Sequence, residues 1–106
     1  MQINDLKTFT KGWIVGNFTP TLLDTSDFEI AIKRYKSGDY EESHHHKIAT
    51  EITVIVDGEV EMNGVKYIKD DIITIAPNES TDFKCLKDVI ILVIKTPSKF
   101  DDKYIN

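Results

Sequence analysis

Three adjacent histidines, His44, His45 and His46, are the only histidines in this 106-residue chain, and Glu51 lies five residues beyond them. Alternate residues of an extended segment share a face, so His44 and His46 point one way and His45 the other. Two neutral imidazoles on one strand face can hold a single metal ion through their ring nitrogens. Lys47 to Thr50 can turn the chain so that Glu51 opens the next strand, on the same face as Thr53 and Ile55. Two histidines and one carboxylate, with coordination positions left open, is the facial arrangement of non-haem metal centres. The competing expectation is a solvated loop that binds nothing, because Glu41, Glu42, Ser43 and Lys47 flank the run.

The elements around these residues read as short β-strands. Turn residues recur at close intervals: Pro20, Ser37-Gly38-Asp39, Asp57-Gly58, Asn63-Gly64, Asp70-Asp71, Pro77-Asn78 and Pro97. Between them lie segments rich in Ile, Val, Thr, Phe and Tyr, the pattern of a sandwich or barrel. Strands are expected over Gly12 to Phe18, Phe28 to Tyr35, Glu51 to Val56, Glu59 to Met62, Val65 to Ile68, Ile72 to Ala76 and Val89 to Lys95. In the second of these, Phe28, Ile30 and Ile32 share one face, and Glu29, Ala31 and Lys33 the other. Asp57-Gly58 and Asn63-Gly64 both read as tight hairpin turns. No segment keeps a helical period for long. The expected fold is all-β, a small antiparallel β-barrel or jelly roll formed by residues 1–106 as one domain. Ile52 to Val56 and Val89 to Ile94 are apolar on both faces and need cover on both sides. That predicts a homodimer, with residues 1–25 an N-terminal arm or strand covering the barrel or a dimer partner.

The formal net charge is −5 and the basic residues are scattered. This argues against a nucleic-acid partner, whose phosphates demand clustered Lys and Arg. No apolar run approaches the roughly 20 residues that span a bilayer, and the first residues lack the pattern of a signal peptide. The single cysteine, Cys85, allows no intrachain disulfide. A cytoplasmic protein with no membrane partner is the expectation.

The segment from Gly38 to Gly58 resembles the first motif of the cupins, G-x5-H-x-H-x(3,4)-E-x6-G. Its fixed positions are occupied by Gly38, His44, His46, Glu51 and Gly58. The stretch Asp71 to Leu86 is similar to the second cupin motif, G-x5-P-x-G-x2-H-x3-N, in degraded form. Pro77 is kept, while Asp71, Glu79 and Leu86 replace the two glycines and the asparagine, and Asp82 falls where a metal-binding histidine is expected. The resemblance implies a barrel with a metal or ligand pocket at its mouth. His44, His46 and Glu51 would be metal ligands, with Asp82 as a fourth, holding a divalent transition metal such as Mn, Fe, Ni or Zn. Cupins include dioxygenases, isomerases, epimerases and decarboxylases as well as binding domains without catalysis, and fold alone does not choose among them.

Tyr40, Tyr35 and Arg34 lie just before the candidate ligands, where they could line the pocket mouth. A tyrosine there would donate a hydrogen bond to a bound oxygen, and Arg34 would pair with a carboxylate. Cys85 reads as a small buried residue facing away from Asp82, Trp13 as a core or dimer anchor, and Asp101, Asp102 and Lys103 as a solvated tail. The reading is a small metal-binding cupin with a pocket for a small-molecule ligand, a sugar or carboxylate. A metal-dependent dioxygenase or isomerase is the first alternative. A structural or regulatory domain with a vestigial site is the second. Whether the domain is an enzyme stays open.

Overall fold

The computed structural model describes residues 1–106. In chain order its strands are β1 (Trp13–Val15), β2 (Glu29–Tyr35), β3 (Tyr40–His45), β4 (Thr50–Asp57), β5 (Glu59–Met62), β6 (Val65–Ile68), β7 (Ile72–Ile75), β8 (Thr81–Cys85), β9 (Val89–Thr96) and β10 (Tyr104–Ile105). They form two five-stranded sheets, ordered β1-β2-β9-β4-β7 and β10-β3-β8-β5-β6. Every pairing is antiparallel. The β-branched runs at residues 52–56 and 89–94 become β4 and β9, adjacent central strands of the first sheet. This is the expected all-β jelly roll. No helix is long and apolar enough to cross a membrane.

The core lies between the sheets. Ala31, Ile55, Val60, Phe83, Val89 and Val93 are buried there. On β2 the inward face is therefore the one carrying Glu29, Ala31 and Lys33, and the isoleucines point out. Two aliphatic rows run across the outer face of the first sheet. One joins Ile30, Ile94 and Ile52, and the other joins Ile32, Leu92, Val54 and Ile72. All of these side chains keep some solvent exposure, and Ile72 is 65% exposed. The N-terminal arm supplies β1, an edge strand whose Trp13 pairs with Ala31 and packs on the core.

Asn63-Gly64 forms the expected hairpin turn, with both residues at positive φ and Met62 paired to Val65. Asp57-Gly58 does not form one. β4 belongs to the first sheet and β5 to the second, so the chain turns a corner between sheets at Gly58 instead of pairing back on itself. A glycine is required there for two reasons. Its φ is +97°, and a Cβ would stand 2.3 Å from the Asp88 carbonyl oxygen. Gly58→Ala is therefore expected to destabilise the fold by more than about 1 kcal/mol, read as a lower midpoint in chemical denaturation.

β3 gives the histidines the extended backbone the sequence reading assumed, while β8 and β10 were not expected from the sequence. The last corrects the reading of the tail. Asp102 is 7% exposed, not solvated, and β10 pairs with β3 through Tyr104↔His45 and Ile105↔His44.

Candidate metal centre

His44 is the penultimate residue of β3, His46 lies just past its end, and Glu51 lies in the first residues of β4, so the site joins the two sheets. Both His44 and His46 are buried, as strand alternation requires of residues on the inner face. His45 faces outward, stacks on Tyr104 and bonds Asn106 Oδ1 through Nδ1 at 2.7 Å. The middle histidine thus docks the C-terminal strand.

The hydrogen-bond partners set the ring tautomers. His44 Nδ1 lies 2.9 Å from the Glu42 carbonyl oxygen, and His46 Nδ1 bonds the carbonyl oxygen of Asp102. A carbonyl only accepts, so each Nδ1 donates, and the neutral ring presents a bare Nε2 lone pair. His46 Nε2 is buried without a hydrogen-bond partner and faces Glu51 Oε1 at 3.4 Å. Glu51 Oε2 accepts from the Thr53 hydroxyl at 3.1 Å. Burial pushes the Glu51 carboxyl pKa up, but His46, Lys95 and Thr53 outweigh it and hold the pKa below its ordinary value. Two electron-pair donors facing each other out of water need a metal ion or a proton between them.

The spacing fits a metal. Ligand atoms about 2.1 Å from one ion at a tetrahedral angle stand about 3.4 Å apart, and two imidazoles sharing an ion have ring centres about 5 Å apart. The His44 and His46 centroids are 5.7 Å apart. His46 and Glu51 are at ligand spacing while His44 stands slightly wide, and no three such side chains are already closed around a common point.

The structure does not bring Asp82 to this site. On β8 the buried residues are Thr81, Phe83 and Cys85, so Asp82 points the opposite way, and its Oδ1 accepts the Asn63 N–H at 2.7 Å. Thr81 instead pairs with His44 and lines the cavity beside it. A one-residue offset on a strand moves a side chain to the other face. Arg34 and Tyr40 are also outside: both are exposed, Tyr40 by 60%, and Arg34 alternates with the inward-facing Lys33 and Tyr35. Tyr35 does enter the interior, where it packs on Phe83 and donates to Glu41 Oε1 at 3.0 Å. Burial and the Glu41 charge push its hydroxyl pKa well up, so it stays protonated.

Sequence reasoning missed Asp102, which braces the site. Its carboxylate accepts the backbone N–H groups of Lys47, Ile48 and Ala49 at 2.9 to 3.2 Å, while its carbonyl holds His46. It also missed Lys33 and Lys95, which face inward beside the ligands. Their signal was present: each is a charged residue at an inward position of its strand's alternation.

No protein-family model matches the chain, and no curated protein matches it. Solved structures do. An uncharacterised protein with a double-stranded β-helix domain from Klebsiella pneumoniae aligns with a TM-score of 0.65 and 20% identity, over 74% of each chain. An RmlC-like cupin from Shewanella frigidimarina aligns with a TM-score of 0.66 and 19% identity, over 72% of this chain and 71% of that one. The DMSP lyase DddQ from Ruegeria pomeroyi aligns with a TM-score of 0.67 and 17% identity, over 78% of this chain and 45% of that one. The fold is that of the cupins.

Proposed function

We propose that this chain is a metal-binding cupin of unassigned activity. In this reading His44, His46 and Glu51 hold a divalent transition metal, Mn, Fe, Ni or Zn, beside a pocket for a small molecule. The observation that carries it is the bare, buried Nε2 of His46 set 3.4 Å from Glu51. Bound there, the metal would supply a Lewis-acid centre with open positions for a ligand. The chain's own groups orient it: the Glu42 and Asp102 carbonyls set the rings, and Thr53 sets the carboxylate. Its free, buried cysteine and lack of disulfides suit the cytoplasm. Untagged protein purified without chelators is expected to carry about one transition-metal ion per chain. Protein that is metal-free and cannot be reloaded would overturn the reading, since a protonated His46 would then satisfy Glu51 instead.

The two aliphatic rows on the outer face of the first sheet support a homodimer with a second copy on that face, because a contiguous apolar patch on a strongly paired sheet marks an interaction surface. Leu92, central in its row, is the residue to test. Leu92→Glu is expected to give a folded monomer in analytical ultracentrifugation where the parent sediments as a dimer. A monomeric parent refutes the dimer.

A further inference from the structure

A cleft of about 560 Å³ opens beside His46, within the size range of small-molecule sites. Trp13, Lys95 and Lys103 line both this cleft and the smaller inner cavity that holds His44 and Glu51, so they stand between the opening and the ligands. Phe18 packs edge-on against Trp13 at 6.3 Å, and Phe100, 83% exposed, stands on the cleft wall.

None of the inward lysines here forms a close ion pair. Lys33 and Lys95 each place Nζ 5.1 Å from the centre of the Trp13 ring. None of Lys33, Lys95 and Lys103 has a carboxylate within 4.0 Å, although Glu29 and Glu51 flank Lys95 on the neighbouring strands. The nearby carboxylates have other duties. Glu41 accepts from Tyr35, Glu51 faces His46, and Asp102 caps three backbone N–H groups. Glu29 also lines the cleft, and burial raises its pKa against the pull of Lys95. Burial lowers the Lys33 pKa, with Glu41 and Glu51 opposing and Lys95 and Lys103 adding.

We propose that this cleft binds a small carboxylic acid, with its carboxylate held by Lys95 and Lys103 and its apolar body against Trp13, Phe18 and Phe100. The inference rests on the pocket reading above and selects the acid over a sugar. A neutral polyol would leave the ammonium groups unanswered, whereas a carboxylate forms charge-assisted hydrogen bonds with them. The acid would lie next to His46, within reach of whatever that residue and Glu51 hold.

Trp13 is the only tryptophan in the chain, so its fluorescence reports the cleft directly. Benzoate and its uncharged counterpart benzamide are titrated into chelator-treated and metal-loaded protein. Benzoate is expected to change the Trp13 emission saturably in both, and at least about tenfold more tightly than benzamide. Lys95→Met, which keeps the aliphatic stem, is expected to reduce benzoate binding to the benzamide level. Lys103→Met, at an exposed position, tests the same contact should the first variant melt early. No saturable response to benzoate, equal affinity for the two probes, or undiminished binding in both variants overturns the inference. Benzoate binding in a protein that takes up no metal would sink the metal reading alone. Metal uptake without discrimination between the probes would sink this one alone.

Discussion

His46→Ala is expected to lower transition-metal affinity by at least about a hundredfold while the barrel stays folded, because losing a direct ligand exceeds the 10- to 100-fold cost of losing its support. His46 is the best-placed donor. Its Nδ1 is fixed by the Asp102 carbonyl and its Nε2 has no partner but Glu51. The ring lies at the cavity wall, outside the central apolar cluster, so truncation leaves the packing of Ile55, Val60 and Phe83 intact. Asp82→Ala is the matched control. Its carboxylate serves the β5–β6 turn, so metal affinity is expected to be unchanged. Competition against a chromophoric chelator, on untagged protein, measures both. Equal affinity in His46→Ala and the parent would refute the assignment, and loss in Asp82→Ala would restore the second motif's position as a ligand.

Asp102→Ala is expected to destabilise the fold by about 3 kcal/mol, since it strips the partner from three backbone donors, of which the Ala49 N–H lies in a buried residue. The same change frees the loop that carries His46, so metal affinity should fall as well. Burial raises the Asp102 pKa, but the three N–H groups and His46 outweigh it, and the folded value lies below the ordinary 3.8. A depressed carboxylate pKa contributes stability that is full above the unfolded value and is lost as the pH falls through the folded one. The stability gap between parent and variant is therefore widest at neutral pH and narrows below about pH 3.8. Glu51, whose pKa is also lowered, weakens the parent in the same acid direction. Denaturant titrations of both proteins across that range would show it. A gap independent of pH would mean that the Asp102 charge does not hold the loop.

Much of the fold was readable from local patterning. The branched aliphatic runs of β4 and β9, the Asn63-Gly64 turn and the absence of a helical period all reflect near-neighbour geometry. The Gly38–Gly58 spacing placed two histidines and a glutamate on one inner wall, because alternation along a strand is itself local. The offset at Asp82 was partly readable too. Cys85 is buried, and an odd separation sends Asp82 to the opposite face. The motif alignment counted residues without tracking which face each one takes.

The Asp57-Gly58 turn shows where local reading stops. An Asp-Gly pair suits a hairpin and a sheet-to-sheet corner equally, and only the pairing of β4 with β7 and β9 and of β5 with β6 and β8 selects the corner. The inward face of β2 was likewise undecided, since Ile30 and Ile32 suit an apolar partner surface as well as a core.

The order of residue types along the chain was enough to define a β-sheet protein and to turn His44 and His46 inward, because strand alternation and short turns act over a few residues. It could not show that Asp102, more than fifty residues away, holds the His46 loop, or that Lys33 and Lys95 converge on the Trp13 ring. Those contacts arise from the pairing of β10 with β3 and of β9 with β2 and β4. Such long-range pairing depends on the packing of the whole barrel, and no short stretch of sequence encodes it.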